Sequence, residues 1–156
     1  MREGVRLAVD LGSVRVGVAR CDPGGLLASP LTTVTRGRGD LERLAQLAAE
    51  QGAIEVIIGL PTGLTGREGL EAVAARRFAV ALAKRLAPVP VRLVDERFTT
   101  VIAHSSLRSG GLGARERKRE VDKAAAALIL QGALDAERAT GQPAGELVAA
   151  SPGAGG

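Results

Sequence analysis

Three acids stand where packing alone does not call for them. Asp10 lies inside the apolar run RLAVDL, at the carboxyl end of a strand predicted over Arg6 to Leu11, which is where open α/β sheets hold their ligands. Asp95 and Glu96 follow a second short apolar run in the same way. Asp122 belongs to a predicted helix, and its neighbours at i+3, i+4 and i+7 are Ala125, Ala126 and Ile129, so it lies along a buried face whose small residues allow close approach to a sheet. In a mixed sheet the carboxyl ends of strands one, four and five can converge and bring Asp10 and the Asp95-Glu96 pair to one edge. Buried carboxylates need cationic partners or metal ions. Mg²⁺ or Mn²⁺, held by a few carboxylates and by substrate phosphate oxygens, activates water and stabilises the leaving oxygen in phosphodiester hydrolysis. Each acid alone has a plainer use: Asp10 can cap the turn to Gly12, Asp95 or Glu96 can pair with Arg97, and Asp122 with Arg119.

The Gly-rich segment Gly59-Leu60-Pro61-Thr62-Gly63-Leu64-Thr65-Gly66 follows a strand and precedes a helix. Free backbone N–H groups at Gly59, Gly63 and Gly66 could hold a phosphate there, although glycines also serve simply as turns. His104 lies mid-helix with no serine or cysteine partner pattern, and Cys21 closes a strand as a small apolar filler.

The elements that must position these residues are legible from periodicity. Arg6–Leu11 reads as a buried strand, Arg15–Arg20 as a half-exposed one joined to it by a tight Gly12-Ser13 turn, and Leu27–Val34 as a third, which Pro30 assigns to an edge. Asp40 can cap a helix ending near Gly52. Ile54–Leu60 is an apolar strand, Arg67 to Leu86 a helix, Val91–Asp95 a fifth strand, and Thr100–Arg108 and Ala114–Arg138 two further helices. The order β-β-β-α-β-α-β-α-α specifies an α/β fold: one five-stranded mixed sheet with helices on both faces, in a domain over 1–139. Residues 140–156, rich in Gly, Ala and Pro, read as a disordered tail.

Composition narrows the partners. The chain has 156 residues, a formal charge of +4, and only two aromatic side chains, Phe78 and Phe98. Gripping unstacked bases on exposed rings is nearly excluded, so nucleic acid would be held through charge and backbone shape. Residues 97–123 carry seven basic against three acidic side chains, most densely at Arg115, Arg117, Lys118 and Arg119. Taken alone that run reads as a solvated helix start. One cysteine excludes an internal disulfide and a multi-cysteine zinc site and suits a reducing compartment. With no membrane-spanning or signal-peptide pattern, a cytoplasmic protein is expected.

Four blocks, LAVDLGSVRVGVA (7–19), IIGLPTGLTGREG (57–69), VRLVDERFTT (91–100) and REVDKAAAALILQGAL (119–134), together resemble the YqgF/RuvX family of RuvC-like nucleases, across residues 5–138. The resemblance implies a ribonuclease H-like fold. It places the family's acidic residues on Asp10, on Asp95 and Glu96 with Glu96 favoured, and on Asp122, as ligands of a divalent metal. It also matches Arg15 and Arg97 to arginines expected at the nucleic acid. Where many relatives have Asn and Asp in the glycine loop, this chain has Gly63 and Thr65. The implied activity is metal-dependent processing of the 5′ end of precursor 16S rRNA, with a pre-ribosomal particle as a further partner and the protein a monomer or homodimer. Resolution of branched DNA junctions by the same site is the alternative, and an RNA-binding assembly factor that does not cut is the alternative of another class. Val9-Asp10-Leu11-Gly12-Ser13 also resembles the phosphate turn of actin-like ATPases, which need two such domains to enclose ATP; a chain of this length has one.

Overall fold

The computed structural model describes residues 2–61, 69–95 and 114–149, with no side-chain description for 114–119. Six strands, β1 (Arg6–Leu11), β2 (Arg15–Cys21), β3 (Ala28–Thr35), β4 (Glu55–Leu60), β5 (Val91–Asp95) and β6 (Glu146–Leu147), form one sheet in the order β3-β2-β1-β4-β5-β6. β1, β4 and β5 run parallel, while β2, β3 and β6 pair antiparallel with their neighbours. The described helices are α1 (Asp40–Gln51), α2 (Leu70–Leu86) and α3 (Ala114–Thr140). The helix expected over Thr100–Arg108 lies outside the described residues.

Alternation along the strands divides the core in two. Leu7, Val9, Val16, Val18, Val56, Ile58, Val91 and Leu93 face α1 and α2, in a cluster completed by Leu44, Leu47, Phe78 and Leu82. Ala8, Ala19, Cys21 and Ile57 face the other way, against Ala126, Ile129, Leu130 and Leu134 of α3. That second layer is thin because its strand residues are small. At Gly17 it is thinner still: a Cβ there would lie 2.0 Å from the Asp122 carbonyl oxygen, so the α3 backbone rests directly on β2.

The edges depart from expectation in instructive ways. β3 is the edge strand that Pro30 implied, and its register skips Leu31, since Val18 faces Thr32 while Ala19 faces Pro30. At the other edge, the sheet gains a sixth strand from the segment expected to open a disordered tail. Leu147 pairs with Arg92 and Glu146 with Leu93, and Arg76 reaches Glu146 at 2.8 Å. The polar, exposed pair Glu146–Leu147 carries no apolar run that periodicity could register; residues 150–156 of that tail lie outside the described part. Helix α1 also starts differently. Gly39, at φ 89°, is its cap and offers no side-chain bond, while Asp40 in the first turn accepts the Gly37 N–H at 3.1 Å. Gly52 closes it as expected, in the left-handed conformation with the Ala53 N–H returning to Ala48 at 2.9 Å.

Away from the carboxyl ends of the parallel strands, a cluster of arginines is gathered around two buried carboxylates. Arg6 is 1% exposed and donates to Glu137 at 3.0 Å; Arg2 donates to Glu137 at 2.6 Å and to Glu55 at 3.1 Å, and Arg92 reaches Glu55 at 3.2 Å. The hydrogen bond from Arg2 is the main reason that the Glu137 carboxyl is pushed down to about 2. At the β2–β3 turn, the N–H groups of Leu27, Leu26 and Gly24 hold the Asp22 carboxyl below its ordinary range.

Candidate nucleic-acid cleavage site

The carboxyl end of β1 gathers Asp10, Arg15 and Asp122 by backbone geometry. Asp10 alternates with Ala8 and so faces α3, and its partner across the antiparallel pair is Gly17. Because Gly17 has no side chain, the Asp122 main chain seats itself on the residue opposite Asp10. Ala125 and Ala126, both fully buried, continue that contact one turn further, as their spacing from Asp122 required. Arg15 shares the α3 side of β2 with Gly17 and Ala19, and its Nε donates to Asp122 Oδ2 at 3.2 Å. Asp122 is thus paired in space with an arginine 107 residues away along the chain.

The turn before Arg15 is fixed on both sides. The Gly12 N–H donates to the Arg15 carbonyl at 2.9 Å, and a Cβ on Gly12 would lie 2.6 Å from that same oxygen, so this tight hairpin requires glycine. Just past β3, the Arg36 backbone N–H donates to the Val14 carbonyl at 2.8 Å and its Nη1 to the Gly12 carbonyl at 2.8 Å. Arg36 is held in turn by Asp40 at 3.4 Å and by the Phe78 ring, 5.3 Å from its guanidinium carbon. Neither Arg36 nor Gly17 stood out in the sequence. A glycine between two valines of a strand is a usable sign of close approach, whereas nothing local marks Arg36.

The other expected residues divide. Asp95 ends β5, exposed, and alternates with Val94, so it continues the Val91 and Leu93 side rather than the α3 side. It lines an open cleft of about 570 Å³ with Leu60, Arg76, Gly132 and Glu146, and neither Asp10 nor Asp122 borders that cleft. Gly59 is strand rather than loop: it sits in β4 opposite Val94. Glu96, Arg97, Gly63, Gly66 and His104 lie outside the described residues, as do the side chains of Arg115, Arg117, Lys118 and Arg119. The α3 backbone that carries these last four begins at the same end as Asp122. Among the described residues no three His, Cys, Asp or Glu side chains form a metal-holding group; of the three acids expected as ligands, Asp10 and Asp122 are among the described residues and Glu96 is not.

Comparison with known proteins bears on the family and the fold. A model of the RuvX family, described as Holliday junction resolvase, matches residues 4–136. A provisionally named pre-16S rRNA nuclease of Thermobifida fusca is 57% identical over 97% of this chain and 100% of its own length. Similarly named proteins of Streptomyces coelicolor and Mycolicibacterium paratuberculosis are 54% and 51% identical, over 94% and 92% of this chain and 89% and 87% of theirs. Among solved structures, Thermus thermophilus RuvC in complex with a Holliday junction substrate superimposes with a TM-score of 0.55 at 18% identity, over 90% of this chain and 99% of that one, which establishes a shared fold. No described helix is long and apolar enough to cross a membrane.

Proposed function

The chain belongs to the RuvX family, and on that premise we propose that it is a cytoplasmic, divalent-metal-dependent nuclease that trims the 5′ end of precursor 16S rRNA. The observation that carries the reading is the seating of Asp122 on Gly17, opposite Asp10, at the carboxyl end of the central strand. Both acids are half-buried, on one face, and offer hard oxygen donors, which is the donor chemistry that Mg²⁺ or Mn²⁺ takes. The third ligand in this reading is Glu96. Asp95 is the less suited of the pair, because it continues the Val91 and Leu93 side of β5 rather than the α3 side that Asp10 faces. A metal bound there supplies an activated water and charge stabilisation at the phosphate.

The chain's own residues do the positioning. The Gly12 hairpin and its Arg36 clamp fix the start of β2, Gly17 sets the height of α3, and Arg15 lies on Asp122 at the mouth of the site. Arg97, Arg115, Arg117, Lys118 and Arg119 are assigned to the phosphates of a structured substrate, in keeping with a chain that has only two aromatic side chains. Cleavage of precursor 16S rRNA with Mn²⁺ by the parent, Asp10→Asn and Asp122→Asn proteins tests the reading. Variants as fast as the parent would remove the mechanism.

The likeness to a RuvC bound to a junction favours a second reading, resolution of branched DNA. A symmetric four-way junction needs two sites, so that reading requires a homodimer. Depletion of the protein in cells followed by mapping of 16S 5′ ends separates the two: immature ends support rRNA processing, and mature ends throughout transfer the weight to DNA.

A further inference from the structure

The Arg15–Asp122 pair bears on how the site is filled, an inference that rests on the metal-site reading above. Arg15 was expected at the nucleic acid, yet its Nε lies 3.2 Å from Asp122 Oδ2, with the two side chains 18% and 25% exposed. The approach is built in: Arg15 is two residues before Gly17 on the same side of β2, and Gly17 is where the Asp122 main chain rests. A guanidinium and a divalent cation cannot both take the same carboxylate oxygen at bonding distance. The pair is also partly open to solvent, so each partner can find water or another ion when the two separate.

We infer that Arg15 is the resident counter-ion of the metal site. It holds Asp122 in the metal-free protein and competes with the incoming cation for that carboxylate, so metal affinity without substrate is set below what the acids alone would give. When the cation takes Asp122, the Arg15 side chain is released at the mouth of the site, where a substrate phosphate offers it a new partner. Phosphate and metal therefore draw on the same exchange, and each favours the other by coupling of the two binding equilibria. Arg15 is a positioning residue in this scheme.

Mn²⁺ binding to the full chain in the absence of nucleic acid, followed by electron paramagnetic resonance, is the test. Arg15→Gln is expected to bind Mn²⁺ about fivefold or more tightly than the parent, and Arg15→Lys, which keeps the charge, close to the parent. Equal or weaker binding by Arg15→Gln, or Arg15→Lys binding as tightly as Arg15→Gln, overturns the counter-ion role. Should Arg15→Gln fail to fold, the parent answers directly: its Arg15 Nε–H resonance should move toward that of free arginine as Mg²⁺ saturates the site, and a resonance that stays put overturns the role equally. Asp10→Asn and Asp122→Asn separate the two inferences. If they bind Mn²⁺ like the parent, the metal-site reading fails; if they lose it while Arg15→Gln is unchanged, only the counter-ion role fails.

Discussion

The two ends of the sheet use the same pairing, arginine with carboxylate, to opposite effect. Under the amino end of β1 and β4, Arg2, Arg6 and Arg92 enclose Glu55 and Glu137, whose side chains are only 3% and 5% exposed. At the carboxyl end, Arg15 meets an Asp122 that is 25% exposed. Burial decides what each can do. A sealed charge that loses its partner has no water to turn to, so breaking such a pair costs about 3–5 kcal/mol and the geometry is permanent. A solvated pair exchanges partners at little cost. The amino-end cluster therefore fixes the start of the chain, the sheet and the end of α3 together, while the carboxyl end keeps its charges available for a ligand.

The largest expected effect lies at the open end. Asp122→Asn should lower cleavage by about 10³-fold, the scale of the several kcal/mol that a bound metal contributes, while shifting the melting temperature little; a variant that loses stability instead would erase the distinction between the two ends. Next, Glu137→Ala should destabilise the protein by about 3–5 kcal/mol in denaturant titration because it leaves the buried Arg6 charge with backbone carbonyls but no carboxylate partner, with cleavage per folded molecule unchanged. A loss under about 1 kcal/mol would show the cluster to be as replaceable as a surface pair.

Acid titration sharpens the contrast. The Glu137 carboxyl, held mainly by the Arg2 hydrogen bond, sits at about 2 in the folded protein against 4.5 for an unperturbed group. Its folded value is depressed, so its contribution, roughly 3 kcal/mol, is complete above pH 4.5 and is lost as pH falls toward 2. Glu137→Gln should flatten stability across that window, and an unchanged slope would refute the assignment. Smaller again, Gly17→Ala should cost about 1–3 kcal/mol as the added methyl lifts α3 from β2, and it should weaken Mn²⁺ binding because Asp122 rides on that backbone. Smallest, Asp95→Asn should change cleavage less than twofold where Glu96→Gln abolishes it; equal losses would move the third ligand to Asp95.

The strand and helix order was legible because each main element carries its own period: RLAVDL, IEVIIGL and the alanine face after Asp122 announce burial within a few residues. The ribonuclease H-like resemblance rested on the same segments, and the RuvC likeness agrees with it. Asp10 and Asp122 were legible too, as acids breaking an apolar pattern. What escaped was whatever depends on partners far along the chain. Glu55 and Glu137 look like ordinary polar positions until Arg2 and Arg6 arrive from 53 to 135 residues away. Asp122 had Arg119 as its obvious local partner, and only the fold delivers Arg15. The strand β6 escaped for another reason: two exposed residues have no period at all.

The two margins of the sheet have a consequence for life at cellular concentration. A free strand edge is a template on which other chains can zip, and long flat edges seed aggregates. Here one margin is spoiled by a proline and a skipped residue in β3, and the other ends in the two-residue β6, held close by Gly145, where any Cβ would strike the Leu93 carbonyl at 2.1 Å. Among the described residues one border is interrupted and the other short, which limits what each offers a neighbouring chain while the charged end of the sheet stays open.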